Sequence, residues 1–156
     1  MTFAVAVETP LSDDVRELVV ALNAWALTET PREFCHHMTV DQMAQADTTV
    51  FIARDEAGAA IGMGALRRHE EGLGEVKRMF TQPDVRGGGV AGRIVGEIEK
   101  LARQEGLARL ALETGATPGF ASAWRVYERA GFTRCGAFLD YPPESLHNIY
   151  YEKLLA

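Results

Sequence analysis

Cysteine is scarce in this chain: Cys35 and Cys135 are the only two among 156 residues. Two thiols cannot build a disulfide framework, and their small number fits a reducing compartment where thiols stay free. A basic excess is also missing, since 16 Lys and Arg stand against 22 Asp and Glu for a net charge of −6. General nucleic-acid binding needs Lys and Arg gathered on one face to displace phosphate counterions, so no nucleic-acid partner is expected, whereas a cationic ligand is compatible with the charge. No run approaches the ~20 apolar residues that a membrane span requires. The start, MTFAVAVETPLSDD, is apolar only briefly, has no basic lead and turns acidic, unlike a signal peptide. The expectation is a cytoplasmic protein with no membrane partner. Repeats, linkers and low-complexity segments are absent too, and the length suits one domain over residues 1–156. Hydrophobic residues at 47% and charged residues at 24% are ordinary globular values.

Residues 3–8 alternate like a strand that Pro10 ends. Ser12 is a plausible N-cap, with Asp13 and Asp14 in the first turn of a helix whose apolar positions are Val15, Leu18, Val19, Leu22, Trp25 and Ala26. Residues 28–37 have no period and read as a loop near a site or an edge. Thr39 with Gln42 forms a capping-box start for a short helix. Residues 48–55 and 59–68 read as a hairpin around a Glu-Ala-Gly turn, and 73–82 as a third strand. From Gly89 to about Gln104, Val90, Ile94, Ile98, Leu101 and Ala102 share a helical face, with Gly106 as the stop. A strand at 108–113 follows, then a helix capped by Thr117, with Pro118 in its first turn, carrying Ala121, Trp124, Tyr127 and Ala130 to Gly131. Residues 131–137 and 148–155 are the last strand candidates. The order predicts a mixed α/β or α+β sheet with helices on its faces.

The segment 79–92 (MFTQPDVRGGGVAG) runs from a strand through a turn into a helix and reads as an anion cradle. Residues with little side chain let backbone N–H groups converge on a phosphate, the helix N-terminus adds partial positive charge, and Arg86 adds a full one. Three readings compete. Gly87, Gly89 and Gly92 satisfy the G-x-G-x-x-G spacing, with Glu113 downstream as a ribose contact, although Pro83-Asp84-Val85-Arg86 separate the glycines from the strand and little chain remains for a dinucleotide sheet. A Walker loop fails because no Gly-Lys-Ser/Thr follows. A flexible turn without a ligand is the plain alternative.

The third reading is a resemblance. Arg86-x-x-Gly89-x-Ala91 resembles the pyrophosphate-binding motif Gln/Arg-x-x-Gly-x-Gly/Ala of the GNAT superfamily of N-acetyltransferases. Glu75-Val76-Lys77-Arg78-Met79-Phe80 is similar to the Glu-Leu-Lys-Arg-Met-Tyr strand of one bacterial branch, and Val126-Tyr127-Glu128-Arg129-Ala130-Gly131-Phe132 to its Leu-Tyr-Glu-x-x-Gly-Phe block. Leu112-Glu113-Thr114-Gly115 and Tyr141-Pro142-Pro143 also match that branch, so the likeness runs in order over about residues 48–155. Phe120 departs from the Gln common there, and residues 146–152 depart from the usual Ser-Val-Phe-Met-Glu tail; both departures bear on the acceptor.

The resemblance implies a GNAT-like, mostly antiparallel central sheet of about 6–7 strands flanked by about 4 helices. It implies an acetyl-CoA-dependent N-acetyltransferase that needs no metal, acting on an amine by direct attack. Carried onto this chain, it makes Met79, Phe80, Thr81, Arg86, Gly87, Gly88, Gly89, Val90, Ala91 and Gly92 the acetyl-CoA-binding residues. Met79 and Thr81 would pair with the pantetheine arm, and the Met79 or Phe80 N–H would face the thioester oxygen. Glu75 is the implied general base, with an exposed strand carboxylate as its plain alternative. Tyr127 is the implied general acid for the departing sulfur, with a core tyrosine as its alternative.

The acceptor is expected to be a small-molecule amine, with a protein lysine or N-terminus as a sub-case. A non-catalytic acyl-CoA sensor is the competing class. The open edges of a splayed sheet make a homodimer possible. Cys35-His36-His37 looks like a ligand cluster, but adjacent side chains point apart and no partner pair at zinc spacing exists, so these residues read as loop residues near the acceptor entrance. A Cys35 nucleophile in a ping-pong scheme is the other chemistry open to that loop. His69 and His147 fit either the acceptor side or the surface, and Trp25 and Trp124 sit on apolar faces as core residues.

Overall fold

In a computed structural model, residues 2–155 are described. The elements are β1 (Phe3–Val7), α1 (Asp13–Glu29), α2 (Val40–Met43), β2 (Thr48–Asp55), β3 (Ala60–Arg68), β4 (Leu73–Thr81), α3 (Val90–Gln104), β5 (Arg109–Gly115), α4 (Ala121–Arg129), β6 (Thr133–Cys135) and β7 (Asn148–Leu154), with single 3₁₀ turns at 32–34, 83–85 and 118–120. One seven-stranded sheet runs in the order β1-β2-β3-β4-β5-β7-β6. Every neighbouring pair is antiparallel except β4 and β5. A dinucleotide-binding fold needs a parallel doubly wound sheet, so this topology removes that reading of the glycines and the ribose role for Glu113.

Alternation along the strands sends side chains to two cores. On one face Phe51, Ala53, Leu66, Val76, Leu110 and Leu112 pack under the Val90, Ile94, Val95, Ile98 and Ala102 stripe of α3, joined by Tyr127. On the other, Val50, Ile52, Met63, Ala65 and Phe80 pack under Val15, Leu18, Val19 and Leu22 of α1, closed by Met38 and Met43. The helical spacing seen in the sequence is thus the contact between each helix and its face. Met43 is fixed by the capping box, with Gln42 N–H on Thr39 Oγ1 at 3.1 Å and Thr39 N–H on Gln42 Oε1 at 2.8 Å.

Two features of β3 and β4 position everything else. Ala65 faces Lys77 and Met63 faces Phe80, so two residues of β4, Arg78 and Met79, oppose Gly64 alone. That is a β-bulge, and Arg78 takes its left-handed conformation at φ 57°. Where β4 meets β5, pairing stops after Leu73–Arg109, Gly74–Leu110 and Glu75–Ala111. Among the described residues, no strand lies beside the far edge of β4 from Val76 to Thr81.

Several boundaries differ from the sequence reading. Ser12 stands at the N-cap of α1, but its hydroxyl bonds Asp14 Oδ1 at 2.8 Å rather than a helix amide. Thr117 does not cap α4: its hydroxyl donates to Glu29 Oε1 at 3.0 Å, and a 3₁₀ turn intervenes before the helix starts at Ala121. Residues 28–37 are not one loop, because α1 runs to Glu29 and a 3₁₀ turn takes 32–34. Of the 131–137 strand only 133–135 form, since the chain then leaves the sheet edge.

Close approach rather than turn geometry explains Gly64. A Cβ there would lie 2.5 Å from Met79 Sδ and 2.6 Å from Ile94 Cγ2. Gly96, on the solvent side of α3, has no atom within 4 Å of the same position. Gly64→Ala should destabilise by about 1–3 kcal/mol through overpacking, whereas Gly96→Ala should stabilise by roughly 0.5–1 kcal/mol through helix propensity. Urea midpoints at constant slope check the pair, and a shared sign would contradict this packing.

Candidate active site

The parting of β4 from β5 opens a cleft of about 540 Å³, walled by α1, the 30–37 segment, the glycine turn and α4. The bulge sorts β4 side chains around it. Val76 and Met79 lie with the α3 core, whereas Phe80 packs under α1 and Arg78 reaches Asn23 of α1. Glu75 and Lys77 alternate with Val76 onto the face away from α3.

At the glycine turn, Gly87 and Gly89 adopt φ 87° and 85°, which favours glycine at both. Gly89 is the N-cap of α3, and its carbonyl takes the Arg93 N–H at 3.1 Å, so the amides of Val90, Ala91 and Gly92 form the free first turn. Gly87, Gly89, Val90, Ala91 and Gly92 line the cleft. Gly88 does not; its N–H turns back to the Val85 carbonyl at 3.4 Å. Arg86 lines the cleft as well. Its Nε donates to the Thr81 carbonyl at 3.1 Å and its guanidinium lies 5.8 Å from the Trp25 ring and 5.7 Å from the Phe80 ring. Trp25 is therefore a cleft wall set edge-on against Phe120 at 4.8 Å, not a core residue alone. Trp124 remains core, its Nε1–H donating to the Gly115 carbonyl at 2.9 Å.

Beside the point where β4 leaves β5 stands Glu75, 2% exposed and so not a surface carboxylate. One oxygen meets His69 Nε2 at 2.9 Å; the other receives the Tyr141 hydroxyl and Lys77 Nζ at 3.2 Å. Lys77 also donates to the Tyr141 oxygen at 2.9 Å. Burial and the Glu75 charge push the Tyr141 phenol well above its ordinary pKa, so it stays a donor. Glu113, from the part of β5 beyond its pairing with β4, also lines the cleft. Desolvation raises its pKa, opposed by the Asn148 amide at 2.6 Å and by Lys77, and reinforced by Glu75.

Tyr127 lies between the two ends, 5% exposed, its ring in the α3 core. Among the described residues none hydrogen-bonds its hydroxyl, and burial with the nearby Glu113 pushes its pKa up, so the phenol keeps its proton. Both sequence-derived roles thus fall on one cleft, beside Met79, Phe80 and Thr81.

The 30–37 segment closes the cleft with Phe34, Cys35, His36 and His37. Cys35 donates weakly to the Thr30 carbonyl at 3.5 Å, and burial raises its pKa, which disfavours the thiolate a nucleophile needs. His36 stands edge-on to Tyr141 at 4.9 Å, and burial with Lys77 lowers its pKa; burial with Arg78 does the same for His37. His147 stacks on Phe34 at 4.3 Å outside the cleft wall. Sequence reasoning missed Lys77, Arg78 and Tyr141 as site residues and offered Glu113 only as a ribose contact. Only Lys77 carried a local signal, an opposite charge two positions from Glu75 on one strand face.

The acetyltransferase (GNAT) family model matches residues 19–132. An IAA acetyltransferase of Azospirillum brasilense is 38% identical over 152 residues, 97% of each chain. An uncharacterized N-acetyltransferase of Escherichia coli is 34% identical over 127 residues, 81% of this chain and 79% of the relative. A solved structure from Klebsiella pneumoniae, described as an acyl-CoA N-acyltransferase, superposes with a TM-score of 0.85 at 29% identity over 99% of both chains.

The Glu75 cluster should be energetically coupled. Lys77→Met, which strands a buried carboxylate, should cost about 3 kcal/mol, and adding Glu75→Gln should return at least ~1 kcal/mol of that loss. Urea unfolding of the two singles and the double reads the cycle. Additive losses would mean that the pair does not interact.

Proposed function

Because the chain belongs to the acetyltransferase (GNAT) family, we propose that residues 1–156 act as one catalytic domain that transfers acetyl from acetyl-CoA to a primary amine of a small molecule. The observation that carries this reading is the single cleft that joins a strand edge without a neighbour, a turn of free amides and a buried carboxylate cluster. The free amides of the α3 first turn, with Gly87 and Gly89, suit a pyrophosphate at a helix N-terminus. Gly88 serves to shape that turn, because its own N–H is spent. The β4 edge at Met79, Phe80 and Thr81 offers main-chain partners to an extended amide-bearing arm, and the bulge aims a Met79 or Phe80 N–H toward the carbonyl that gains charge.

The amine nitrogen attacks the thioester carbonyl, an N–C bond forms and the C–S bond breaks. The proton lost from nitrogen passes to Glu75, directly or through water, with His69 on its far oxygen as the way out. Tyr127 gives its proton to the departing sulfur. Glu113 is a second base candidate, favoured by its raised pKa and its place on the cleft wall. A small acceptor suits a recess closed by Phe34, His36, His37 and Tyr141; a protein lysine would need an open channel there. A sensor that binds without turnover is the alternative.

Calorimetric titration with acetyl-CoA and with NADH, followed by thiol release over a panel of amines and a lysine peptide, tests the reading. Acetyl-CoA alone should bind, with CoA freed only when an amine is present. A Cβ at Gly92 meets no described atom within 4 Å, so Gly92→Asp should keep the fold while weakening acetyl-CoA binding by at least ~10-fold through charge repulsion. Tyr127→Phe should lower turnover about 10²-fold at unchanged acetyl-CoA affinity. Full activity in Tyr127→Phe would remove the proposed acid, and binding without release by any amine would favour the sensor.

A further inference from the structure

Arg78 lines the cleft in surroundings that do not explain it. It is 8% exposed, yet among the described residues no carboxylate lies within ion-pair distance of it. Its Nη2 donates to Asn23 Oδ1, and its Nε is buried with no partner. Burial pulls its pKa down to about 10, which still leaves a full cation at neutral pH. A buried charge without a counter-ion costs several kcal/mol, and a left-handed φ at a long side chain adds strain at the same residue. Two costs at one position that lines a cleft point to a ligand that offsets them. The nearby side chains give no negative charge: His37 is kept neutral, and Leu22, Trp25 and Ala26 form an apolar wall. The carboxylates of Glu75 and Glu113 belong to the Lys77, Tyr141 and Asn148 contacts instead.

We propose that Arg78 is the carboxylate subsite of the acceptor, so that the amine acetylated here is carried by a molecule that also bears a carboxylate, as an amino acid does. The proposal rests on the acetyl-transfer reading above and names its substrate class. A planar guanidinium with an unpartnered Nε matches the two oxygens of a carboxylate. Along β4, Arg78 is three residues from Glu75, about 10 Å at strand rise, and both side chains lean over one recess. A short amino acid can therefore place its carboxylate at Arg78 and its nitrogen toward the base. The amine of such a substrate is drawn to the Glu75 and Glu113 end while its anion is held at the other.

The test uses matched sets: an amino acid, its neutral amide, its decarboxylated amine and its aminophosphonate analogue. Thiol release is measured with wild type, Arg78→Lys and Arg78→Gln. The amino acid should exceed its amide in kcat/KM by about 10–100-fold, the worth of charge-assisted hydrogen bonds. Arg78→Gln should erase that ratio at unchanged acetyl-CoA affinity, and Arg78→Lys should retain part of it. A second readout, independent of turnover and of the variants, is the unfolding temperature of wild type with CoA plus each compound; only the carboxylate member should raise it. Equal use of acid and amide, a preference for the phosphonate, or a thermal shift from the decarboxylated amine as large as that from the acid would overturn the proposal. If no amine releases CoA, the transfer reading fails alone, and the thermal shift still decides Arg78.

Discussion

The structure turns on the separation of β4 from β5 after three residue pairs. A strand edge left without a neighbour in a protein interior is costly, because each buried N–H and C=O wants a partner. Here the cost falls where an extended ligand can supply what the sheet withholds. The cleft, the glycine turn and both proton-transfer candidates lie around this opening, and the two cores on either side of the sheet hold the parted strands where they are.

The bulge opposite Gly64 is the second determinant, and it acts through register. One extra residue in β4 breaks the alternation, so Lys77 and Arg78 both lie away from α3 while Met79 returns to its core. Without it, Arg78 would enter the hydrophobic layer under Ile94 and Ile98. Gly62 and Gly64 let α3 sit close against β3, which brings the first turn of α3 to the end of β4. The glycine turn and the strand edge are thus registered by the same packing contact.

Much of this was legible in the chain because it is local. The hairpin of β2 and β3, the α3 stripe and the Thr39 capping box depend on neighbours within a few residues, and the Arg86–Ala91 motif carries its own geometry. Elements that depend on distant partners were not legible. Thr117 has the right type for a cap, but Glu29, far away in sequence, claims its hydroxyl. Sequence leaves Glu75 open between a base and an exposed strand carboxylate, and what buries it is Tyr141, from beyond α4. Trp25 sits on an apolar helical face, yet that face continues past the core to the cleft, where Arg86 covers the ring. No periodicity or spacing announces that the arginine between Lys77 and Met79 lacks a counter-ion.

Exposed strand edges are where proteins recruit one another into aggregates, since any passing strand can complete the ladder. The β4 edge escapes that hazard by its location. It lies in a recess between α1 and α4, lined by Phe34 and Tyr141. A pairing surface that would be dangerous on the outside of the molecule is thereby kept off it.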